Sequence, residues 1–192
     1  MVKHILDQFA DTTITEWLAF IFGVLQVVLA LKNKALNFYA GIISVSLYSY
    51  VFYDYGLFAE SMLNVYYIII SVLGLFYWNK KEMESVGSAS KKELLIAVII
   101  IFVGFIFLYF ILKNYTVSTV PYWDAAVSAI AWAGSWLLMK RKIENWMVLN
   151  VSNVLAIPLL IYKGLDLTAV LTLIYIVVAI MGYFSWKRIL KN

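Results

Sequence analysis

The amino-acid sequence predicts an all-α integral membrane protein of seven transmembrane helices, in which the last three helices repeat the first three in parallel across a single linker helix. Three observations lead there. The 192 residues are 64% hydrophobic and only 14% charged, with a mean hydropathy of +0.88, more apolar side chain than a soluble domain of this size can hide. The apolar residues fall in seven runs, most of them near the roughly 20 residues a helix needs to cross the hydrocarbon. An ungapped shift of 108 positions lays the first three runs on the last three.

The spans follow in order from the charged and turn residues that interrupt them. A polar N-terminal arm, 1–15, has acids where a cleavable signal would be apolar and carries the sole histidine, His4, which is read as an ordinary solvated residue. Spans 16–31 and 36–53 are separated by Lys32 and Lys34, and span 59–78 follows a short turn at Gly56. The connection 79–92, "NKKEMESVGSASKK", is polar and reads as a mobile loop. Span 93–112 is the linker helix and 113–121 a short loop, and spans 122–138, 144–161 and 166–186 complete the second set before a tail at 187–192. The runs are too long and continuous for barrel strands, and an open sheet edge is not viable in lipid, so each span is predicted to be helical.

Charge orients the bundle. Twelve of the 15 basic residues lie in connections 1–2, 3–4 and 5–6 and in the C-terminal tail, against Lys3, Lys113 and Lys163 on the opposite side. The positive-inside bias therefore puts the N-terminus outside and the C-terminus in the cytoplasm. The basic residues form no contiguous face, so a net charge of +4 is read as a topology signal rather than a nucleic-acid surface.

The repeat rests on residues less interchangeable than Leu, Ile and Val. Glu16 aligns with Asp124, Lys32 with Lys140, Lys34 with Lys142, Asn37 with Asn145, Phe38 with Trp146, Ser44 with Ser152, Gly56 with Gly164, Tyr67 with Tyr175, Gly74 with Gly182 and Trp78 with Trp186. Span 5 starts four spans after span 1, so both sets enter the membrane from the same face. Parallel repeats are a transporter design in which the substrate path lies between the halves.

The candidate site residues are the polar and aromatic groups buried in these spans. On span 6, Trp146, Asn150 and Asn153 share one helical stripe, and an amide without partners in hydrocarbon costs several kcal/mol, so these face the bundle interior, a ligand or water. Asn64 and Tyr67 share a face of span 3. Trp132 and Trp136 are an i, i+4 pair on span 5, and Tyr175 lies on span 7. Amides that both donate and accept, beside flat rings, suit a neutral polar group on an aromatic heterocycle. Interhelical hydrogen bonding accounts for the same Asn residues in the alternative. For Trp17, Trp78, Trp123 and Trp186, near span ends, an interfacial belt is the expectation. The glycines read as close helix contacts, and Pro158 as a kink one turn beyond Asn153.

No HExxH, CxxC, glycine-rich phosphate loop or Ser/His/Asp set is present, and there is no cysteine, so no enzyme, metal or cofactor is expected. No carboxylate falls firmly at mid-span, which favours a facilitator over an ion-coupled pump.

The segment Lys140 to Trp186, with "ENW" opening span 6, its Asn-bearing stripe, the "YKGL" turn and the "YFSW" ending, together with the echo "LNVYYIIISVLGLFYW" at Leu63–Trp78, resembles the PnuC family of vitamin transporters over about Glu16–Arg188. The resemblance implies a three-plus-one-plus-three bundle similar to SWEET sugar transporters, assembled as a homotrimer in the bacterial inner membrane. It also implies facilitated diffusion of unphosphorylated nicotinamide riboside, drawn inward by a cytoplasmic kinase. By position, Asn64 and Asn150 would meet polar groups of the ligand, with Tyr67, Trp132, Trp146 and Tyr175 around its ring. The "LFYW" ending of span 3, and Asn64 where the family more often has Gln, keep thiamine as the alternative substrate. From another class, the rival is a structural or sensory membrane protein whose Asn and Trp residues only pack the bundle.

Overall fold

A computed structural model describes residues 12–54, 64–79, 86–164 and 166–191, with the side chains of 166 and 167 excepted. Among the described residues it contains seven helices: α1 (Ile14–Leu31), α2 (Leu36–Asp54), α3 (Val65–Asn79), α4 (Lys91–Tyr115), α5 (Pro121–Met139), α6 (Glu144–Tyr162) and α7 (Asp166–Ile189). Each matches a predicted span; α4 and α7 run a few residues past the predicted ends. Four of them, α1, α4, α6 and α7 (in α7, from Thr168), are long and apolar enough to cross a membrane. Residues 1–11 of the N-terminal arm, Gly56, Glu60, Lys80 and Lys81 lie outside the described residues.

Local chemistry starts three of the helices. Thr13 caps α1 and Ser90 caps α4, each accepting from a backbone N–H three residues on while Glu16 or Glu93 reaches back to the cap, so orphan donors at both helix starts are satisfied. Pro121 opens α5, where its missing N–H costs nothing.

Six helices pack in a closed ring in the order α1, α2, α3, α5, α6, α7 and back to α1, while α4 lies against α5 alone among the described elements. Ala125, Ala129 and Ala133, all fully buried, form the stripe on α5 that receives α4; small side chains let the two backbones approach. The opposite faces of α4 expose Leu95, Val98, Phe102 and Phe110, as expected of a lipid-facing helix.

Contacts recur 108 residues apart. Ser44 Oγ donates to Ala19 O at 2.8 Å, tying α2 to α1, and Ser152 Oγ donates to Val127 O at 2.8 Å, tying α6 to α5. Asn37 and Asn145, both fully buried, donate to the carbonyls of Lys34 and Lys142 at 2.7 and 2.6 Å. The turns before them hold Asn33 and Arg141 at φ of 53° and 55°. A Cβ at Gly74 would lie 2.3 Å from the Phe38 ring, and one at Gly182 would lie 2.6 Å from the Trp146 ring, so each glycine admits the aromatic residue of its own neighbouring helix.

Two expectations are corrected. Trp78 and Trp186 are not belt residues. They are 5% and 0% exposed, stand 6.0 Å apart by ring centroids, and donate their indole N–H groups to Met139 O and Ala30 O at 3.0 and 3.1 Å. With Phe38 and Trp146 they pack the lysine-bearing end of the ring. Span-end position on a sequence cannot separate a ring facing headgroups from one turned inward. The connection before α4 is likewise no loose loop over its described part, 86–90: Gly87 N–H donates to Arg141 O, Ile143 N–H donates to Gly87 O, and Ala89 N–H donates to the Glu144 carboxylate at 2.8 Å. Val86, 2% exposed, joins the aromatic core.

Candidate substrate site

At the end of the ring opposite the aromatic core, a cavity of about 190 Å³ lies among α2, α3, α4, α5 and the end of α6. Asn64 and Tyr67 bring polar groups from the start of α3. The Asn64 carbonyl accepts from the N–H groups of Tyr67 and Ile68, so this residue begins the helix and its neighbour one turn on shares its face. From α5 come Asp124, Ser128 and Trp132, spaced four apart, and Phe52, Leu108 and Leu112 supply apolar walls.

Trp132 is held from two sides. Tyr66 stacks on it at 4.3 Å between centroids and 18° between planes, and the Tyr66 hydroxyl donates to the Trp132 carbonyl at 2.8 Å. On the α4 side, the tryptophan ring lies 3.4 Å from where a Cβ at Gly104 would stand. A ring stacked on one face by Tyr66 and packed against α4 is held in place and loses little entropy on binding. At the cavity wall Lys163 Nζ donates to both oxygens of Asp124 at 2.6 Å, and the Ser118 hydroxyl donates to Asp124 Oδ2.

Of the eight predicted site residues, the structure brings Asn64, Tyr67 and Trp132 to this cavity. Trp136 instead packs with Ala97, Ala133 and Leu137 toward α4. The separation follows from helix geometry: a four-residue step overshoots one turn by roughly 40°, so Trp136 is carried progressively off the face that begins at Asp124. Trp146, 3% exposed, is in the aromatic core beside Trp186 at 5.4 Å. Its indole N–H and the Asn150 Oδ1 one turn on are both buried without hydrogen-bond partners, an adjacent donor and acceptor inside the bundle. Asn153 is half-buried on the same helix. Tyr175 places its hydroxyl 2.6 Å from where a Cβ at Gly23 would sit, between α7 and α1.

Asp124 and Lys163 do not stand out in the sequence as site residues because each falls at a span end, where a charge is ordinary. The available signal was that they close the same end of a helical hairpin, the first turn of α5 and the residue after α6. A smaller cavity of about 60 Å³ occupies the corresponding place in the first half, lined by Glu16, Phe20 and Tyr48 among others; Glu16 and Phe20 are the repeat partners of Asp124 and Ser128.

A ring of apolar helices closed at one end by packed aromatics, with a polar and aromatic cavity at the other, is the architecture of a multi-pass membrane protein with room for a small ligand. Comparison with known proteins narrows the class. The family described as nicotinamide mononucleotide transporter matches residues 13–188, and the chain belongs to that family. It is 29% identical over 186 residues to the nicotinamide riboside transporter PnuC of Neisseria mucosa, covering 88% of this chain and 70% of that protein. To the Escherichia coli protein of the same name it is 18% identical over 205 residues, covering 92% and 86%. The crystal structure of the vitamin B3 transporter PnuC superposes with a TM-score of 0.77 at 24% identity, over 99% of this chain and 87% of that one, a likeness of fold.

Proposed function

We propose that this protein carries nicotinamide riboside across the bacterial inner membrane by facilitated diffusion, the riboside being drawn inward as a cytoplasmic kinase phosphorylates it. The carrying observation is the meeting of Asn64, Tyr67 and the clamped Trp132 ring at one cavity: an amide and a phenol for the carboxamide and hydroxyls, and a flat face for the pyridine ring. A cavity of roughly 150 Å³ holds one benzene, so about 190 Å³ suits the aromatic head of the ligand. The names of the curated relatives support the substrate.

The finer reading is a three-plus-one-plus-three, SWEET-like bundle, supported by the contacts that recur 108 residues apart and by the position of α4 outside the ring. An outside N-terminus and cytoplasmic C-terminus rest on the distribution of Lys and Arg. Uniport fits the placement of Glu16, Asp124 and Glu144 in first helical turns rather than at mid-depth. The homotrimer follows from the family resemblance.

Calorimetric titration of the purified protein in detergent with nicotinamide riboside, thiamine, riboflavin and their phosphates tests this. The riboside is expected to bind and its phosphate to bind far more weakly. Preference for thiamine would replace the substrate, and failure of every unphosphorylated vitamin would leave the structural or sensory reading.

A further inference from the structure

The ion pair at the cavity is the one charged feature among its described lining residues, and its presence asks for a reason. The pair lies at the start of α5 and the end of α6 with side chains 13% and 28% exposed, where an ion pair adds only about 0–1 kcal/mol to stability. As a tie between α5 and α6 the pair is redundant. Ser152 already bonds Val127 O across that interface at 2.8 Å, and the Trp123 indole N–H bonds Leu155 O at 3.1 Å. The duplicated framework also keeps the acid without the base: Glu16 stands where Asp124 does and lines the first-half cavity, whereas position 55, the repeat partner of Lys163, is Tyr.

The two partners differ in how they are held. Asp124, 13% exposed at its side chain, accepts from Ser118 as well as from Lys163, so its carboxylate has a fixed place on the cavity wall. Lys163, 28% exposed, caps the end of α6 next to Gly164 at φ 71°; a long stem at a helix end carries its ammonium into water at little cost.

We propose that Asp124 is the charge-selecting residue of the substrate site, taking the permanently cationic aromatic nitrogen of the ligand as its counter-ion in exchange for Lys163. This rests on the function proposed above. Nicotinamide riboside and thiamine share that chemistry, a ring nitrogen alkylated into a permanent cation, and so differ from a neutral heterocycle of the same shape. The Asp124 carboxylate and the Trp132 ring, both on the cavity wall, attract such a ring together. In the exchange the Lys163–Asp124 hydrogen bonds break, the carboxylate meets the ring cation, and the ammonium is rehydrated at the surface. Lys163 thereby keeps the carboxylate paired between ligands and competes with weakly bound cations.

The test titrates the full-length protein in detergent with nicotinamide riboside, with its reduced dihydropyridine form, which keeps the ribose and carboxamide but is neutral, and with thiamine. Asp124→Asn is expected to weaken riboside binding at least tenfold, about 1.4 kcal/mol, and binding of the neutral form less than about threefold by the same relation. Lys163→Met is expected to tighten binding of the cation by removing its competitor. Should Asp124→Asn fail to fold, Asp124→Asn/Lys163→Met removes the pair without orphaning the ammonium and is expected to show the same loss confined to cations. Equal weakening of the cationic and neutral forms, unchanged binding of both, or weaker cation binding by Lys163→Met would each overturn this inference while leaving the substrate reading standing. A wild-type protein that binds neither cation overturns both.

Discussion

Trp132→Ala and Trp136→Ala, two substitutions one helical turn apart, are expected to fail in opposite ways. At Trp132 the cavity loses its flat wall. Removing one aromatic face of roughly 50 Å² from a bound ring forfeits about 1.3 kcal/mol at 25 cal/mol per Å², and the loss of ring–ring geometry adds about 0.5–1.5 kcal/mol. The sum is about 2–3 kcal/mol, or a thirty- to hundredfold rise in Kd for an aromatic ligand. Stability changes less, because the Trp132 ring is only partly buried and Tyr66 remains to close over the gap. Trp136 packs with Ala97, Ala133 and Leu137, so its truncation opens the α4–α5 interface, at a cost below the roughly 3–5 kcal/mol of a fully buried Trp→Ala change because this ring is also partly exposed. Calorimetric binding and thermal unfolding in detergent, measured on both variants, separate the two effects. Ligand affinity lost in Trp136→Ala but kept in Trp132→Ala would refute the assignment of the cavity.

Gly74→Ala and Gly182→Ala are each expected to destabilise by about 1–3 kcal/mol through overpacking, since the new Cβ would lie 2.3 and 2.6 Å from the Phe38 and Trp146 rings; a melting temperature unchanged in both would contradict the packing described. Ser44→Ala and Ser152→Ala remove equivalent hydrogen bonds to Ala19 O and Val127 O and are expected to cost similar amounts, about 0.5–1.5 kcal/mol each, read as matched shifts in detergent unfolding. Ser90→Ala removes the cap of α4 and is expected to cost about 1 kcal/mol, with faster amide exchange confined to the first turn of that helix.

The division between what could be read early and what could not runs along helix faces. Seven apolar runs, their borders at lysines and turn residues, and the register of 108 were all legible, because hydropathy and spacing are local and one-dimensional. The pairing of Asn64 with Tyr67 was legible for the same reason: an i, i+3 relation survives any packing of the helix. The i, i+4 relation of Trp132 to Trp136 did not suffice to place both at one site, because α4 occupies the neighbouring face of α5 and takes Trp136 into its own interface. Trp78 and Trp186 read as belt residues until Met139 O and Ala30 O were seen to accept from them across the ring.

What the amino-acid sequence determined by itself is therefore the solvent, the helices and a register of 108 positions between residue types, each set by side-chain chemistry within a few residues or by a fixed offset along the chain. Only the tertiary structure decided which face of each helix turns inward, that six helices close a ring with α4 outside it, and that Asp124 and Lys163, 39 positions apart, meet beside Trp132. The physical reason is that each residue turns a helix by about 100°, so an inward or outward facing is settled by which neighbour packs against the helix, and that neighbour is chosen by contacts between elements far apart in the chain.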